Sequence, residues 1–242
     1  MADPDRRAAL TLVAGLALGA STLTLAGCKG GGEEKEKKGE GGEAEVTANE
    51  DLMREHGVLR RILVAYREVA PKLAAGAPVD AAALGSAAGL FRTFGEQYHE
   101  QMLEEQHIFP IVRKAGGEAG RLADTLVAQH ARGREINDFI IARTRGGKIS
   151  AGDGPVMARA MTAFARMYEA HAAREDTVVF PAFKKAVGLK AYDELGDQFE
   201  EIERKTFGGD GFDIAMSKIG DIERALGVSD LAAFTAPTPG AG

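Results

Sequence analysis

His171 and Glu175 stand four residues apart in a stretch, Phe164 to Phe183, whose neighbouring inward positions are Phe164, Met167 and Tyr168. At intervals of three and four these residues share one face of a helix, and that face is the apolar one. An imidazole and a carboxylate aimed together into an apolar interior are costly unless something there uses them. A metal ion is the simplest user. The pair therefore sets the condition against which the rest of the chain is read.

The chain has five histidines in 242 residues, and three more of them lie on similar stripes. The spacing predicts a first helix from Asn49, a good cap, to about Ala75, with Leu52, His56, Leu59, Leu63 and Tyr66 inward. A second starts near Val79 and Asp80, just after Pro78, and continues to about Lys114, with Gly116 and Gly117 as its stop. Its stripe of Leu90, Phe91, Phe94 and Tyr98 leads into His99. A third spans about Glu118 to Arg143, with Leu122, Leu126, His130, Gly133 and Ile140 inward. A fourth follows the Gly152-Asp153-Gly154-Pro155 break, carries His171 and Glu175, and runs to about Val187.

The two halves repeat one another. Glu104 precedes Phe109-Pro110 by five residues, and Glu175 precedes Phe180-Pro181 by five. Proline inside a helix removes a hydrogen bond and bends the axis, so both helices are expected to curve around one common object. Beyond them, Tyr192 to Phe207 and Phe212 to Leu226 read as amphipathic helices joined by Gly208-Gly209-Asp210-Gly211, packed across the bundle as a cover. No strand-like alternation of any length occurs. The expected fold is all-α, an up-down four-helix bundle at 49–187 with two additional C-terminal helices in 188–234 and a disordered tail at 235–242.

In such a bundle the facing helices converge on one central site. Imidazole with carboxylate suits iron, manganese or zinc. Four independently satisfied core histidines would leave Glu104 and Glu175 buried without a cation, which is unfavourable. The single cysteine, Cys28, excludes disulfides within the chain, Cys-based zinc sites and Cys-ligated clusters. A net charge of -6 argues against a general nucleic-acid surface. A ferritin-like oxidase needs Glu-x-x-His on two helices, and only Glu96-Gln97-Tyr98-His99 fits.

Residues 49–187 resemble the hemerythrin-like family: one histidine on the first helix, histidine then glutamate on the second, one histidine on the third, histidine then glutamate on the fourth. The Phe-Pro pairs and the run Glu169-Ala170-His171-Ala172-Ala173-Arg174-Glu175-Asp176 are typical of it. The resemblance implies a four-helix bundle holding two irons with an oxo or hydroxo bridge, manganese or zinc being the alternatives. It implies His56, His99, His130 and His171 as terminal ligands, with Glu104 and Glu175 bridging. The implied function is non-enzymatic binding of oxygen, nitric oxide or iron; the alternative is a di-iron enzyme that reduces nitric oxide or peroxide.

Two departures carry weight. Oxygen-carrying members have a second histidine four residues after the one on the third helix, and here that position is Arg134. A sensor or redox role therefore stands beside oxygen carriage. Glu104 is five residues after His99, where a straight α-helix would point the two apart. A π-type bulge between them is predicted; without one, Glu100 or Glu105 becomes the ligand. His107 matches no family position and is expected at the surface or behind a ligand. Tyr66, Tyr98 and Tyr168 fall on inner stripes, for packing or for a hydrogen bond at the metal site.

At the amino-terminus, Arg6-Arg7 precede the apolar run Ala8 to Ala26, the order of an export signal. Leu25-Ala26-Gly27-Cys28 resembles the lipobox of bacterial lipoproteins, in which the signal (here 1–27) is cleaved and the cysteine lipidated. A membrane-spanning anchor is the alternative, the run being near the lower limit of about 17 residues for spanning. Asp5 to Leu10 resembles a loose twin-arginine signal, with Ala9 in place of the usual aromatic. The segment 28–48 is mostly Gly, Glu and Lys and should remain a disordered tether. The expected location is outside the cytoplasm, lipid-anchored at Cys28 to a bacterial membrane and facing the periplasm.

Overall fold

The structure, a computed structural model, describes residues 46–240. The expected export signal, Cys28 and nearly all of the expected tether lie outside the described residues. Among the described residues every regular element is helical, and there are six helices.

Helix α1 is Ala48–Ala74, capped by Thr47, whose hydroxyl accepts from the Glu50 N–H. The expected cap, Asn49, sits two residues further in, inside the first turn. It is occupied by tertiary contacts instead: its N–H donates to the Tyr192 hydroxyl at 2.6 Å and its side-chain amide to the Phe180 carbonyl at 3.0 Å. A cap has to precede the helix, and Thr47 is the first residue that does so with a free hydroxyl.

Helix α2 is an unbroken rod over 81–115. Asp80 caps it, accepting from the Ala83 N–H at 2.9 Å, and Gly116 ends it at a φ of 76°. Within it, Ala81–Leu90 and Phe109–Ala115 are α-helical, while Phe91–Ile108 is wound as a π-helix. Helix α3 is Gly117–Thr144. Helix α4 covers 153–187, again α-helical at both ends, Asp153–Arg174 and Phe180–Val187, with the π-turn Glu175–Val179 between them. Helices α5, Leu189–Phe207, and α6, Gly211–Leu226, complete the set, and a short 3₁₀ turn follows at Leu231–Phe234. Helix α5 begins three residues before the expected Tyr192 because Gly188, at a φ of 74°, breaks the chain immediately after α4.

Helix α1 packs along α2 and α4, and α3 packs along the same two, so the four long helices enclose one apolar interior. Phe91, Phe94, Phe164, Tyr66 and Leu63 fill its middle, with the Phe164 ring edge-on to Phe91 at 4.7 Å and to Tyr66 at 5.8 Å. Helix α6 lies against α1 and α2, and α5 against α1, the π-wound middle of α2 and the end of α4. Apolar residues of both, among them Phe199, Ala215, Ile219 and Ile222, join the same core.

Candidate metal centre

Glu104 and Glu175 are each followed, five residues on, by the phenylalanine of a Phe-Pro pair. In both places the Phe N–H, of Phe109 and of Phe180, donates to the carbonyl of that glutamate, closing a turn one residue wider than an α-turn. A wide turn uses more than four residues, so a separation of five returns to the same side of the helix. His99 and Glu104 thereby face the same way, and the predicted bulge is present. A second one, at Glu175, was not expected, since His171 and Glu175 already match an α-turn. The prolines next in sequence, Pro110 and Pro181, have no N–H to continue the wide ladder, and there both helices step back to ordinary α-turns.

The four helices bring six buried side chains to one place: His56, His99, Glu104, His130, His171 and Glu175, none more than 3% exposed. They form two half-sites. His56 Nε2 and His99 Nε2 are 3.0 Å apart, as are His130 Nε2 and His171 Nε2. Each glutamate spans both halves. Glu104 places one oxygen 3.4 Å from His99 Nε2 and the other 3.4 Å from His130 Nε2. Glu175 places one oxygen 2.9 Å from His171 Nε2 and the other 3.4 Å from His56 Nε2.

These spacings are those of ligands around cations. Two donors about 2.1 Å from one ion and at right angles lie about 3.0 Å apart. All four oxygens of Glu104 and Glu175 are buried and accept no hydrogen bond. Buried carboxylates left this way are strongly unfavourable unless positive charge stands between them. Without cations that charge has to come from protons. Although burial works against it, His99 is held well above the ordinary histidine range by Glu104 and Glu55, and His130 is pushed up to about 10 by Glu100, Glu104 and Glu105. His171 and His56 hold Glu175 well below the ordinary carboxylate range, again against the effect of burial. A pair of divalent ions would replace those protons, so the residues present fit such a group.

Behind the imidazoles, every Nδ1 faces an oxygen, which leaves Nε2 as the free lone pair aimed at the centre. His56 donates from Nδ1 to Asp176 at 2.6 Å, His130 to Glu105 at 2.9 Å, His171 to Gln129 at 2.9 Å, and His99 to Glu55. Arg60 pairs with Asp176, and Arg134 with Glu105 and Glu100. The rings are also clamped: His56 stacks on Phe180 and His130 on Phe109, at centroid distances of 5.4 and 5.6 Å. The phenylalanine of each Phe-Pro pair thus holds a histidine belonging to the other half of the bundle.

The remaining candidates lie off the centre. Glu105 supports His130, and Glu100 accepts from the Tyr168 hydroxyl at 2.7 Å and from Arg134 at 3.1 Å, so Glu104 alone of the three acids has its carboxylate between the histidines. Arg134 ligates nothing. His107 rests on Phe199 of α5, with centroids 5.5 Å apart. Tyr66 and Tyr98 are fully buried core residues. Tyr168 crosses to Glu100 only because residue 133 is glycine, where a Cβ would stand 2.0 Å from its hydroxyl. Beside the centre, His56, His171, Leu59, Leu63, Ala172 and Tyr168 line a small cavity with room for one water-sized molecule.

Glu55, Asp176 and Gln129 are site residues that the periodicity did not reveal. A signal for them exists: each is a polar neighbour in sequence of a histidine or glutamate on the apolar stripe.

The profile of the hemerythrin HHE cation binding domain matches residues 47–183. Uncharacterized proteins of Mycobacterium bovis and of two Mycobacterium tuberculosis strains are 44% identical to the chain over 196 residues, covering 80% of it and 75% of each relative. No solved structure matches it.

Proposed function

The chain belongs to the hemerythrin HHE cation-binding family, and from that membership we propose that it holds two iron ions and uses them to bind a small diatomic molecule, oxygen or nitric oxide. The observation that carries this reading is the pair of buried glutamates, each with one oxygen beside either histidine pair and none hydrogen-bonded. In it, His56 and His99 would hold one ion and His130 and His171 the other, with Glu104 and Glu175 offering an oxygen to each. The four long helices run up and down in the family's order.

Bound iron would supply a reversible redox couple. The chain supplies the rest. The oxygens behind each Nδ1 fix the tautomer, Phe109 and Phe180 fix the rings, and Leu59, Leu63 and Ala172 keep the adjoining cavity apolar and small. An apolar cavity of that size favours a neutral diatomic over a hydrated ion or an organic substrate. A second reading, reduction of nitric oxide or peroxide, is favoured by one feature: Tyr168 and Glu100 line the same cavity and carry an exchangeable proton between them.

The reading is tested by absorption spectra of the iron-loaded protein before and after oxygen. A ferric-pair charge-transfer spectrum is expected, and His171→Ala should abolish it while helicity by circular dichroism stays near wild type. Retained colour in that variant would overturn the ligand set. Anaerobic titration with nitric oxide separates binding from turnover, since reduced product forms only in an enzyme. Export and lipid attachment at Cys28 belong to the same proposal, resting on the Leu25–Cys28 sequence. No described helix is long and apolar enough to cross a membrane.

A further inference from the structure

The supports behind the imidazoles repeat from one half of the bundle to the other. Asp176 follows Glu175 and holds His56; Glu105 follows Glu104 and holds His130. Arg60, four residues after His56, pairs with Asp176; Arg134, four after His130, pairs with Glu105. Glu55 precedes His56 and holds His99; Gln129 precedes His130 and holds His171. In the last correspondence the repeat changes chemistry. Three imidazoles donate to carboxylates and His171 donates to a neutral amide.

A carboxylate behind Nδ1 makes an imidazole more basic and a stronger donor at Nε2. Glu55 is fully buried, and His99 is its only ion-pair partner among the described residues. Its charge is therefore not offset by a lysine or arginine. Glu100 adds a carboxylate on the other side, 3.9 Å from His130 Nδ1, but that is beyond hydrogen-bonding distance, and Arg134 and Tyr168 both donate to it. Arg60 serves Asp176 alone, whereas Arg134 is shared by Glu105 and Glu100; among the groups hydrogen-bonded to an Nδ1, the halves differ in Glu55 against Gln129.

Building on the two-cation reading above, we propose that the two metal positions are inequivalent and fill in order, the His56–His99 position first, with Glu55 and Gln129 as the positioning residues that set the difference. Partners behind a metal ligand typically change affinity by about 10- to 100-fold, so the first ion should bind at least about tenfold more tightly than the second.

The test is titration of the metal-free full-length chain with manganese(II), followed by electron paramagnetic resonance. The first equivalent should give the spectrum of isolated ions, and the second should convert it to that of a spin-coupled pair. Anomalous diffraction from crystals carrying one equivalent should place the ion between His56 and His99. Glu55→Gln should erase the order, so that isolated and coupled spectra grow together from the start. Gln129→Glu, at a partly exposed position, should erase it from the other side with no loss of affinity, and it remains informative if the buried variant fails to fold. Coupled spectra from the first additions to wild type, an ion found first at His130–His171, or an order unchanged in both variants would overturn the inference alone. No retained manganese would overturn the two-cation reading and this inference with it.

Discussion

At the scale of single residues, the histidines and Glu175 were legible because each breaks an apolar stripe with a group that the interior cannot tolerate alone. Glu104 was legible only through the repeat of its distance to Phe-Pro, since the α-helical period places it on the wrong side. Glu55, Asp176, Gln129 and Glu105 were not legible as supports. Each sits one position off the stripe, where periodicity predicts a half-exposed polar residue, and each acts across to another helix. Gly133 is an informative case, a glycine read simply as an inward position that proves to be the space Tyr168 passes through. Gly133→Ala should displace Tyr168, break its bond to Glu100, and cost about 1–3 kcal/mol as an overpacked core does. Urea unfolding of the metal-free protein measures this, and an unchanged midpoint would contradict the contact.

At the scale of elements, the long α2 rod shows why helix boundaries were easier to read than helix type. Capping residues and glycines mark the ends of 81–115, whereas nothing in propensity announces that Phe91–Ile108 is wound with wide turns. Only the His99 to Glu104 spacing hinted at it. The cover gives the pH prediction. Glu203 of α5 is pushed up to about 7, first by burial and then by Glu55, Asp51 and Asp210, with the Phe212 N–H pulling the other way. Asp51 of α1 is also pushed up to about 7, by burial and then Glu55, with Asp210 and Glu200 adding to the rise and Arg54 opposing it. Both acids thus favour the folded state when protonated. That contribution is complete below about pH 4, the unfolded value, and is lost as pH rises through about 7. Amide exchange in α5 and α6, corrected for its intrinsic pH dependence, should therefore be faster at pH 8 than at pH 6. Equal corrected rates would show that the cover does not depend on those protons.

For the whole molecule, the all-helical class followed from three- and four-residue periodicity in every long segment, and the shared interior followed from an inward histidine on each of four successive helices. Which helices touch was not legible, because an apolar stripe does not name its partner. The packing of α5 and α6 onto α1 and α2 is set by side-chain fit that a single sequence does not encode in any local pattern. The proposed lipid attachment at Cys28 bears on the molecule as a whole. If Cys28 carries the lipid, Cys28→Ala should move the protein from the membrane fraction to the soluble one. Unchanged partitioning would mean that the apolar run of residues 8–26 is itself the anchor.

The central claim is that two cations complete the interior between Glu104 and Glu175. Its most direct test is metal analysis of the full-length protein, loaded anaerobically with ferrous iron and freed of excess by gel filtration. Two irons retained per chain is the predicted result. One iron or none would contradict it, because a single ion cannot satisfy both histidine pairs and all four carboxylate oxygens.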